Sequence, residues 1–179
     1  MLKISITGPE STGKSTLARQ LAAHYGAALV PEYAREYIGG LSRPYQAADV
    51  LAIARRQFEL EDEAMQTAHS IVFCDTDVWV LKIWYEHAYH CLDAWLEKAW
   101  KNRRNTYHLV LLTAIDLPWY PDPQREHEHL RAFLFEKYRS ELEQHGIFFK
   151  IITGTDTTRL QNGIIAVDML IKQVDGQRY

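Results

Sequence analysis

Eight residues near the start of the chain, Gly8-Pro-Glu-Ser-Thr-Gly13-Lys14-Ser15, have the types and spacing of a phosphate-binding loop (P-loop). The pattern is glycine, any four residues, glycine, lysine, then serine or threonine. Main-chain N–H groups of such a loop surround polyphosphate oxygens at the N-terminus of the following helix. Lys14 should then reach the β- and γ-phosphates, and the Ser15 hydroxyl should ligate Mg²⁺. The residues expected to contact the nucleotide are Gly8, Glu10, Ser11, Thr12, Gly13, Lys14, Ser15 and Thr16.

Charged residues follow two short apolar runs and could act on a phosphate chain or on an acceptor. Asp75 and Asp77 come directly after the run 71–74, where a carboxylate can hold the Mg²⁺ shell or polarise an attacking hydroxyl group. Glu32 follows the second run, where it could accept a proton from a substrate hydroxyl. Arg35 could contact that substrate or the transferring phosphoryl group. The structural alternatives are a helix-capping aspartate and a helix-start glutamate followed by an exposed arginine.

Residues 114–125 contain three prolines and are predicted to form a loop. Long loops are often lids over a site, and residues that precede proline favour extended conformations. We therefore expect a lid over about 114–128 that stands off the body of the protein. Arg125, followed by Arg131, is expected to close over the phosphates and stabilise transition-state charge. The alternative is an ordinary surface loop.

Aromatic residues are concentrated after the third apolar run, and most of them are expected in the core because aromatic stripes on helices usually are. One or two of them, with Trp84 as a candidate, could stack on a planar heterocycle together with Tyr33 or Tyr37. A positively charged heterocycle would be bound more strongly by a ring face. The histidine pairs at 87/90 and 127/129 lack partners at metal-binding spacing and are expected to be structural surface residues. The aromatic cluster consists of Trp79, Trp84, Tyr85, Tyr89, Trp95 and Trp100.

Strand-like and helix-like segments alternate along the chain and must position these groups. Such alternation predicts an α/β fold with a five-stranded parallel sheet, flanked by helices, and with ligands at the carboxyl ends of the strands. The turn at 154–159 is then a positional candidate for contact with a nucleotide base. Strands are predicted at 2–7, 27–30, 71–74, 108–112 and 147–152, and helices at 16–25, 46–69, 78–104, 126–145 and 156–174.

Length and composition are those of one ordinary domain. The 179 residues are 47% hydrophobic and 24% charged, and the formal net charge of −3 argues against a general nucleic-acid or membrane-surface binder. Two cysteines without a paired motif fit a reducing compartment. We therefore expect a single cytoplasmic domain over 1–179, with small-molecule partners and with no signal peptide or membrane span.

Four segments, taken together, resemble the nicotinamide riboside kinase domain of the NadR type. The resemblance extends across essentially the whole chain and is more specific than the P-loop alone. The segments are Gly8-Pro-Glu-Ser-Thr-Gly-Lys-Ser15, Val30-Pro-Glu-Tyr-Ala-Arg-Glu-Tyr37, Phe73-Cys-Asp-Thr-Asp77 and Leu112-Thr-Ala-Ile-Asp-Leu-Pro-Trp119, followed by Asp122 and Arg125.

This resemblance implies a nucleoside- or nucleotide-kinase-like P-loop fold that transfers the γ-phosphate of ATP to the 5′-hydroxyl of nicotinamide riboside, giving nicotinamide mononucleotide in NAD salvage. It supports Lys14 and Ser15 as contacts to phosphates and Mg²⁺, and Arg125 as the lid arginine. Because the chain has no counterpart of the DNA-binding and adenylyltransferase parts of the full-length relatives, we expect neither of those activities. The carboxylates implied as substrate and metal contacts are those of Glu32, Asp75 and Asp77.

The mechanism expected is in-line phosphoryl transfer, in which Asp75 or Glu32 orients the acceptor hydroxyl. Three alternatives stay open. One is a P-loop kinase for another small molecule, such as a deoxynucleoside, a nucleotide or a pantothenate-type acceptor. Another is a nucleotide-dependent switch or regulatory binding module, although Lys172-Gln-Val-Asp175 lacks the asparagine of a guanine-binding motif. The last is a motor-like ATPase.

Overall fold

A parallel sheet of five strands lies at the centre of the part of the chain that the computed structural model describes, residues 1–125 and 128–176. The strand order is β2-β3-β1-β4-β5 and every neighbouring pair is parallel, which confirms the predicted sheet. The register places Ile6 beside Asp75, so the segments after β1 and β3 leave the sheet side by side. The strands are Leu2–Thr7 (β1), Ala28–Val30 (β2), Ile71–Asp75 (β3), Leu109–Thr113 (β4) and Phe149–Ile152 (β5).

Helices cover both faces of this sheet. One layer contains α1 and α7, and the other contains α3 to α6. Alternate residues of β1 face opposite layers: Ile4 and Ile6 pack against α1 and α7, whereas Ser5 and Thr7 point to the other side. The helices are Lys14–Tyr25 (α1), Tyr33–Gly39 (α2), Ala47–Thr67 (α3), Val78–Tyr89 (α4), Ala94–Arg103 (α5), Arg131–Gln144 (α6) and Asp156–Gly176 (α7).

The helix predicted over 78–104 is two helices. His90 adopts a left-handed conformation with φ of 55° and ends α4. Asp93 then caps α5, because its side chain accepts hydrogen bonds from the main-chain N–H groups of Trp95 and Leu96. No glycine or proline marks this break, and the apolar pattern runs through it.

The short helix α2 has no counterpart among the predicted elements. The main-chain N–H of Tyr33 donates to the Gln57 side chain on α3, which holds the start of α2 against the body of the protein. Glu32 occupies the N-cap position, but its side chain makes no capping hydrogen bond. Its carboxylate is therefore available to the cavity described below.

Before α6, residues Glu128–Leu130 form one turn of 3₁₀ helix, so the regular helix begins later than the predicted 126. Residues 126 and 127 lie outside the described part of the chain. Within the described ranges, no helix has both the length and the apolar character that a membrane crossing requires.

Candidate active site

A cavity of about 500 Å³ opens at the carboxyl ends of β1, β2 and β3. One side, the loop half, is made by residues 8–16 and Arg19. Glu32, Arg35 and Asp75 lie in the cavity wall beside them. The other side, the helical half, is built on α2, α4 and α6 and includes Ile38, Ile83, Trp84, His87, Leu134 and Tyr138.

The P-loop occupies the position that the sequence predicts, between β1 and α1. Gly8 has φ of +131°, and a Cβ there would lie 2.7 Å from the Thr113 hydroxyl. That hydroxyl lies 2.6 Å from the Thr12 hydroxyl and donates to the Thr7 carbonyl, so β4 holds the loop from behind. Lys14 donates through Nζ to the Pro9 carbonyl at 2.8 Å. The loop thus lies directly on the sheet, with its lysine folded over it.

Arg159 is a second support of the P-loop. Its side chain is buried and forms an ion pair with Asp116 at the end of β4. Burial lowers the pKa of this guanidinium, although the nearby Asp116 charge opposes that effect. The turn at 154–159 was predicted to contact a nucleotide base, but its arginine, Arg159, points into the protein interior. The guanidinium donates to the main-chain carbonyls of Thr12, Ala114, Ile152 and Gly154.

Asp75 lies at the border between the two halves and is only 5% exposed. Its Oδ1 is buried without a hydrogen-bond partner within the described residues, and Ser15 lines the cavity with it. Burial raises the pKa of Asp75, and the negative charge of Glu32 adds to that shift. The nearby Ser15 hydroxyl and the positive charges of Lys14 and Arg35 oppose it. An unpartnered buried oxygen on a residue that lines a cavity makes this carboxylate the leading candidate for a contact to a ligand.

Asp77, only two residues away, faces the protein interior. Its Oδ2 accepts from the Ser5 hydroxyl at 2.7 Å, and the Thr7 hydroxyl donates to Oδ1. Oδ1 also accepts from the main-chain N–H groups of Trp79 and Val80, which caps α4. The side chain has no exposed area, and burial raises its pKa. This placement contradicts the prediction that Asp77 contacts the substrate, because the helix cap and the β1 hydroxyls together use both of its oxygens.

Two of the three candidates on α2 reach the cavity. Glu32 and Arg35 line it and form an ion pair of 3.2 Å between Oε2 and Nε. The Tyr33 ring instead packs against Tyr37, with ring centroids 6.0 Å apart, and against the core. Tyr33 is therefore placed outside the cavity wall, contrary to the prediction of a substrate contact. Residues one or two positions apart do not share a helix face, so the Tyr33 side chain points away from those of Glu32 and Arg35.

The helical half presents one large aromatic wall. Trp84 lines the cavity, and its Nε1 donates to the Tyr45 hydroxyl at 3.1 Å. The two rings meet edge to face, with centroids 5.1 Å apart. His87, one turn later on α4, also lines the cavity, although the sequence predicted a surface histidine. Trp79, Tyr85 and Trp100 are buried in the core, as expected.

The 114–125 segment lies on the P-loop, although we expected it to stand off the body. The Ser11 hydroxyl accepts from the main-chain N–H of Tyr120, and Arg131 donates to the carbonyls of Ser11 and Leu117. A Cβ on Gly13 would lie 2.9 Å from the Leu117 side chain, which shows how closely the segment approaches. Ser11 of the P-loop and Arg131 thus supply hydrogen-bond partners for main-chain groups of this segment.

Arg125 lines the cavity from this segment. It donates to the Tyr120 carbonyl at 2.5 Å and to the Ser11 hydroxyl at 3.5 Å. The segment therefore places one arginine of the predicted pair in the cavity, whereas Arg131 holds the segment in place. The cavity wall thus contains Lys14, Glu32, Arg35, Asp75, Trp84 and Arg125 of the predicted catalytic and substrate residues.

Comparison with known proteins agrees with this geometry. A family model described as AAA domain matches residues 3–159. The chain belongs to the AAA domain family. Among curated proteins, it is 30% identical over 129 residues to the trifunctional NAD biosynthesis/regulator protein NadR of Salmonella typhimurium. That match covers 68% of this chain and 30% of the relative, so this AAA domain chain spans under a third of the NadR protein.

Solved structures show the same fold. The chain superposes on a NadR protein in complex with NR with a TM-score of 0.73 and 25% identity, covering 94% of this chain and 49% of that one. A NadR structure with NAD and AMP-PNP gives the same TM-score at 24% identity and the same coverage. Thymidylate kinase from Ehrlichia chaffeensis gives 0.65 at 13% identity, covering 94% and 98%. The P-loop kinase-like fold and the resemblance to NadR are thus confirmed for this AAA domain chain.

Proposed function

We propose that this chain is an ATP-dependent kinase that phosphorylates the 5′-hydroxyl of nicotinamide riboside to give nicotinamide mononucleotide. The observation that carries the proposal is the position of Asp75. Asp75 belongs to the lining of a cavity that has a P-loop on one side and Trp84 on the other, and its Oδ1 has no hydrogen-bond partner within the described residues. A switch or a motor-like ATPase has no need of an apolar, aromatic pocket beside its phosphate site.

The loop half is the proposed donor site. In the proposal, its main-chain N–H groups and Lys14 hold the β- and γ-phosphates of ATP, and Arg125, which lines the same cavity, offsets charge that develops on the transferred group. The NadR structure solved with AMP-PNP, an ATP analogue, supports ATP as the donor. Acceleration comes mainly from holding the reacting groups in line and from offsetting negative charge.

The oxygen atoms of Ser15 and Asp75 fit Mg²⁺. They are hard ligands, and both residues line the cavity beside the phosphate site. Among the residues that the structure describes, no group of three histidine, cysteine or acidic side chains could hold a metal by itself. That suits an ion bound mainly by nucleotide phosphates and water. When bound, Mg²⁺ offsets charge on the β- and γ-phosphate oxygens.

The helical half is the proposed acceptor site. Trp84 lines this half, where its ring would stack on a planar base, and a positively charged pyridinium ring would gain further from that contact. The Asp75 carboxylate accepts a hydrogen bond from the 5′-hydroxyl and takes its proton as the oxygen attacks the γ-phosphorus. Glu32 lies beside it as the second carboxylate. The NadR structure with NR, which we take as nicotinamide riboside, supports this acceptor.

We further propose that residues 1–179 act as one kinase domain in the cytoplasm. The P-loop near the beginning of the chain and the 114–125 segment in its second half line the same cavity, so the site needs most of the chain. Both cysteines are free thiols, Cys74 buried and Cys91 exposed, as suits a reducing compartment.

A panel of acceptors tests the proposal. The protein is incubated with ATP, Mg²⁺ and, in separate reactions, nicotinamide riboside, deoxynucleosides, a nucleoside monophosphate and pantothenate, and the products are identified by mass. We expect nicotinamide mononucleotide as the main product. Preferential phosphorylation of another acceptor would be consistent with a kinase, but it would contradict nicotinamide riboside as the substrate. Slow ATP hydrolysis without any phosphorylated acceptor would overturn the kinase and favour a regulatory module.

A further inference from the structure

Arg35 links the acceptor side of the cavity to the 114–125 segment. Its Nε lies 3.2 Å from Glu32 Oε2, and its NH1 lies 3.1 Å from Asp122 Oδ2. Burial opposes the charged form, but the Asp122 hydrogen bond and the charge of Glu32 more than offset it, so the pKa of Arg35 is raised. One guanidinium therefore holds two carboxylates that belong to different parts of the site.

A second contact runs in parallel with this ion pair. The Gln124 side chain donates through Nε2 to the main-chain carbonyl of Arg35 at 3.2 Å. Asp122 itself is held in a tight turn, since its Oδ1 accepts from the main-chain N–H of Gln124 and its carbonyl accepts from that of Arg125. The position of Arg125 therefore depends on where Asp122 is held.

We propose that Arg35 is a positioning residue, which ties the 114–125 segment to helix α2 and thereby couples the acceptor site to the placement of Arg125. This inference rests on the proposed kinase function. Ser11 anchors the same segment on the donor side, so the two anchors together span both halves of the cavity. With the α2 anchor intact, Gln124 and Arg125 of the segment line the cavity, where we expect them to restrict the access of water.

Loss of the α2 anchor should change how ATP is used. Water then competes with the acceptor hydroxyl: its oxygen attacks the γ-phosphorus, and the β,γ-bridging oxygen leaves with ADP. The products are ADP and inorganic phosphate in place of ADP and a phosphorylated acceptor. The ratio of phosphate released to acceptor phosphorylated is the quantity that reports on this coupling.

A direct contact between Arg35 and the transferring phosphoryl group is the competing role. The two roles differ in what Asp122 should do. If Arg35 acts through Asp122, removing either partner breaks the same link, and the second substitution adds nothing. If Arg35 stabilises the transition state itself, its loss alone lowers kcat by orders of magnitude, and Asp122 matters little.

The experiment compares Arg35→Gln, Asp122→Asn and the double variant. Arg56→Gln is a matched control, because Arg56 has a side chain of similar exposure, 39% against 45%, and pairs with Glu59 and Glu63 on an outer helix. An exposed ion pair is worth at most about fivefold in an equilibrium constant. We expect each single variant and the double variant to lose about threefold in acceptor kcat/KM and to release more free phosphate. Arg56→Gln should match the unsubstituted protein.

Losses that multiply in the double variant, or a loss confined to Arg35→Gln, would overturn the coupling while leaving the kinase assignment intact. Hydrogen exchange of residues 117–125 gives a readout that does not depend on the acceptor. With AMP-PNP bound, we expect Arg35→Gln, Asp122→Asn and the double variant to show the same increase in the exchange rate of these residues. Unchanged exchange would contradict the anchor even if nicotinamide riboside proves to be the wrong substrate.

Discussion

The two halves of the cavity are built in different ways. The loop half consists largely of main-chain groups, held from behind by buried side chains such as Thr113 and Arg159. The helical half consists of side chains from three helices that are far apart in the sequence. A phosphate chain is common to all nucleotides and suits a main-chain cradle, whereas an acceptor has an individual shape and needs side chains.

The same contrast holds on a smaller scale for the two aspartates after β3. Asp75 faces the cavity with one oxygen unpartnered, and Asp77 faces the interior with both oxygens used. The carboxylate that we propose for ligand binding is the one that the fold leaves incompletely satisfied. The proposal thus assigns folding stability and ligand binding to different residues of one short segment.

Replacement of Lys14 by alanine tests the loop half and should have the largest effect. We expect kcat to fall by about 10²–10³-fold, because a positioned charge on the transferred phosphoryl group is lost. The free energy of unfolding should change by less than about 0.5 kcal/mol, since Lys14 is only partly buried. Steady-state kinetics and urea unfolding measure the two quantities. Unimpaired turnover would contradict the proposed reaction.

Replacement of Asp75 by asparagine should separate activity from stability. We expect kcat/KM to fall by about 10²-fold, because the base for the acceptor hydroxyl is removed. Burial raises the pKa of Asp75 in the folded protein. The folded state therefore binds the proton more tightly than the unfolded chain and loses stability as the pH rises through the two pKa values. At neutral pH, the variant should unfold at higher urea concentration.

The control is Asp77→Ala, which removes four hydrogen-bond acceptor contacts in the interior. We expect it to lower the free energy of unfolding by about 2–4 kcal/mol. A destabilised Asp75→Asn protein, or a stable Asp77→Ala protein, would contradict the division of roles between the two aspartates.

The pH dependence of kcat/KM follows from the same raised pKa. Activity should fall as the pH decreases through the pKa of Asp75, because the protonated carboxyl cannot accept the hydroxyl proton. The acid limb should lie above the ordinary aspartate value of about 3.9. Asp75→Asn should have no such limb, and a limb that persists would assign the base to Glu32.

Replacement of Trp84 by alanine tests the helical half and should have the smallest of these kinetic effects. Stacking of a base on an aromatic ring is worth about 1–3 kcal/mol, so KM for the acceptor should rise about tenfold or more. KM for ATP should change by less than about twofold, since the loop half is untouched. Trp84→Phe keeps a ring but loses the Tyr45 hydrogen bond, and it should retain most of the acceptor affinity.

The elements of the fold differ in how local their sequence signals are. The P-loop, α1 and the buried strands were predictable, because their signals lie within a few consecutive residues. Helix α2 was not predictable, since its start depends on a hydrogen bond from the Tyr33 N–H to the Gln57 side chain on another helix. The break at His90 was missed because its left-handed conformation has no glycine to announce it.

Among the site residues, side-chain direction was the unpredictable part. Spacing indicated that Asp75 and Asp77 both follow a strand, and it also allowed one of them to be a cap. Only the tertiary structure decided that Asp77 is the cap, because the Ser5 and Thr7 hydroxyls that donate to its carboxylate come from β1. Arg159 likewise carries no local signal for its contact with the P-loop.

The sequence by itself determined the α/β sheet, the phosphate-binding loop and the presence of acidic and basic groups at the carboxyl ends of the strands. These follow from local periodicity and from motif chemistry. The tertiary structure decided which carboxylate faces the cavity, which aromatic ring forms its wall, and that the proline-rich segment rests on the P-loop. Those outcomes depend on contacts between residues distant in the chain, where packing and hydrogen-bond satisfaction outweigh local preference.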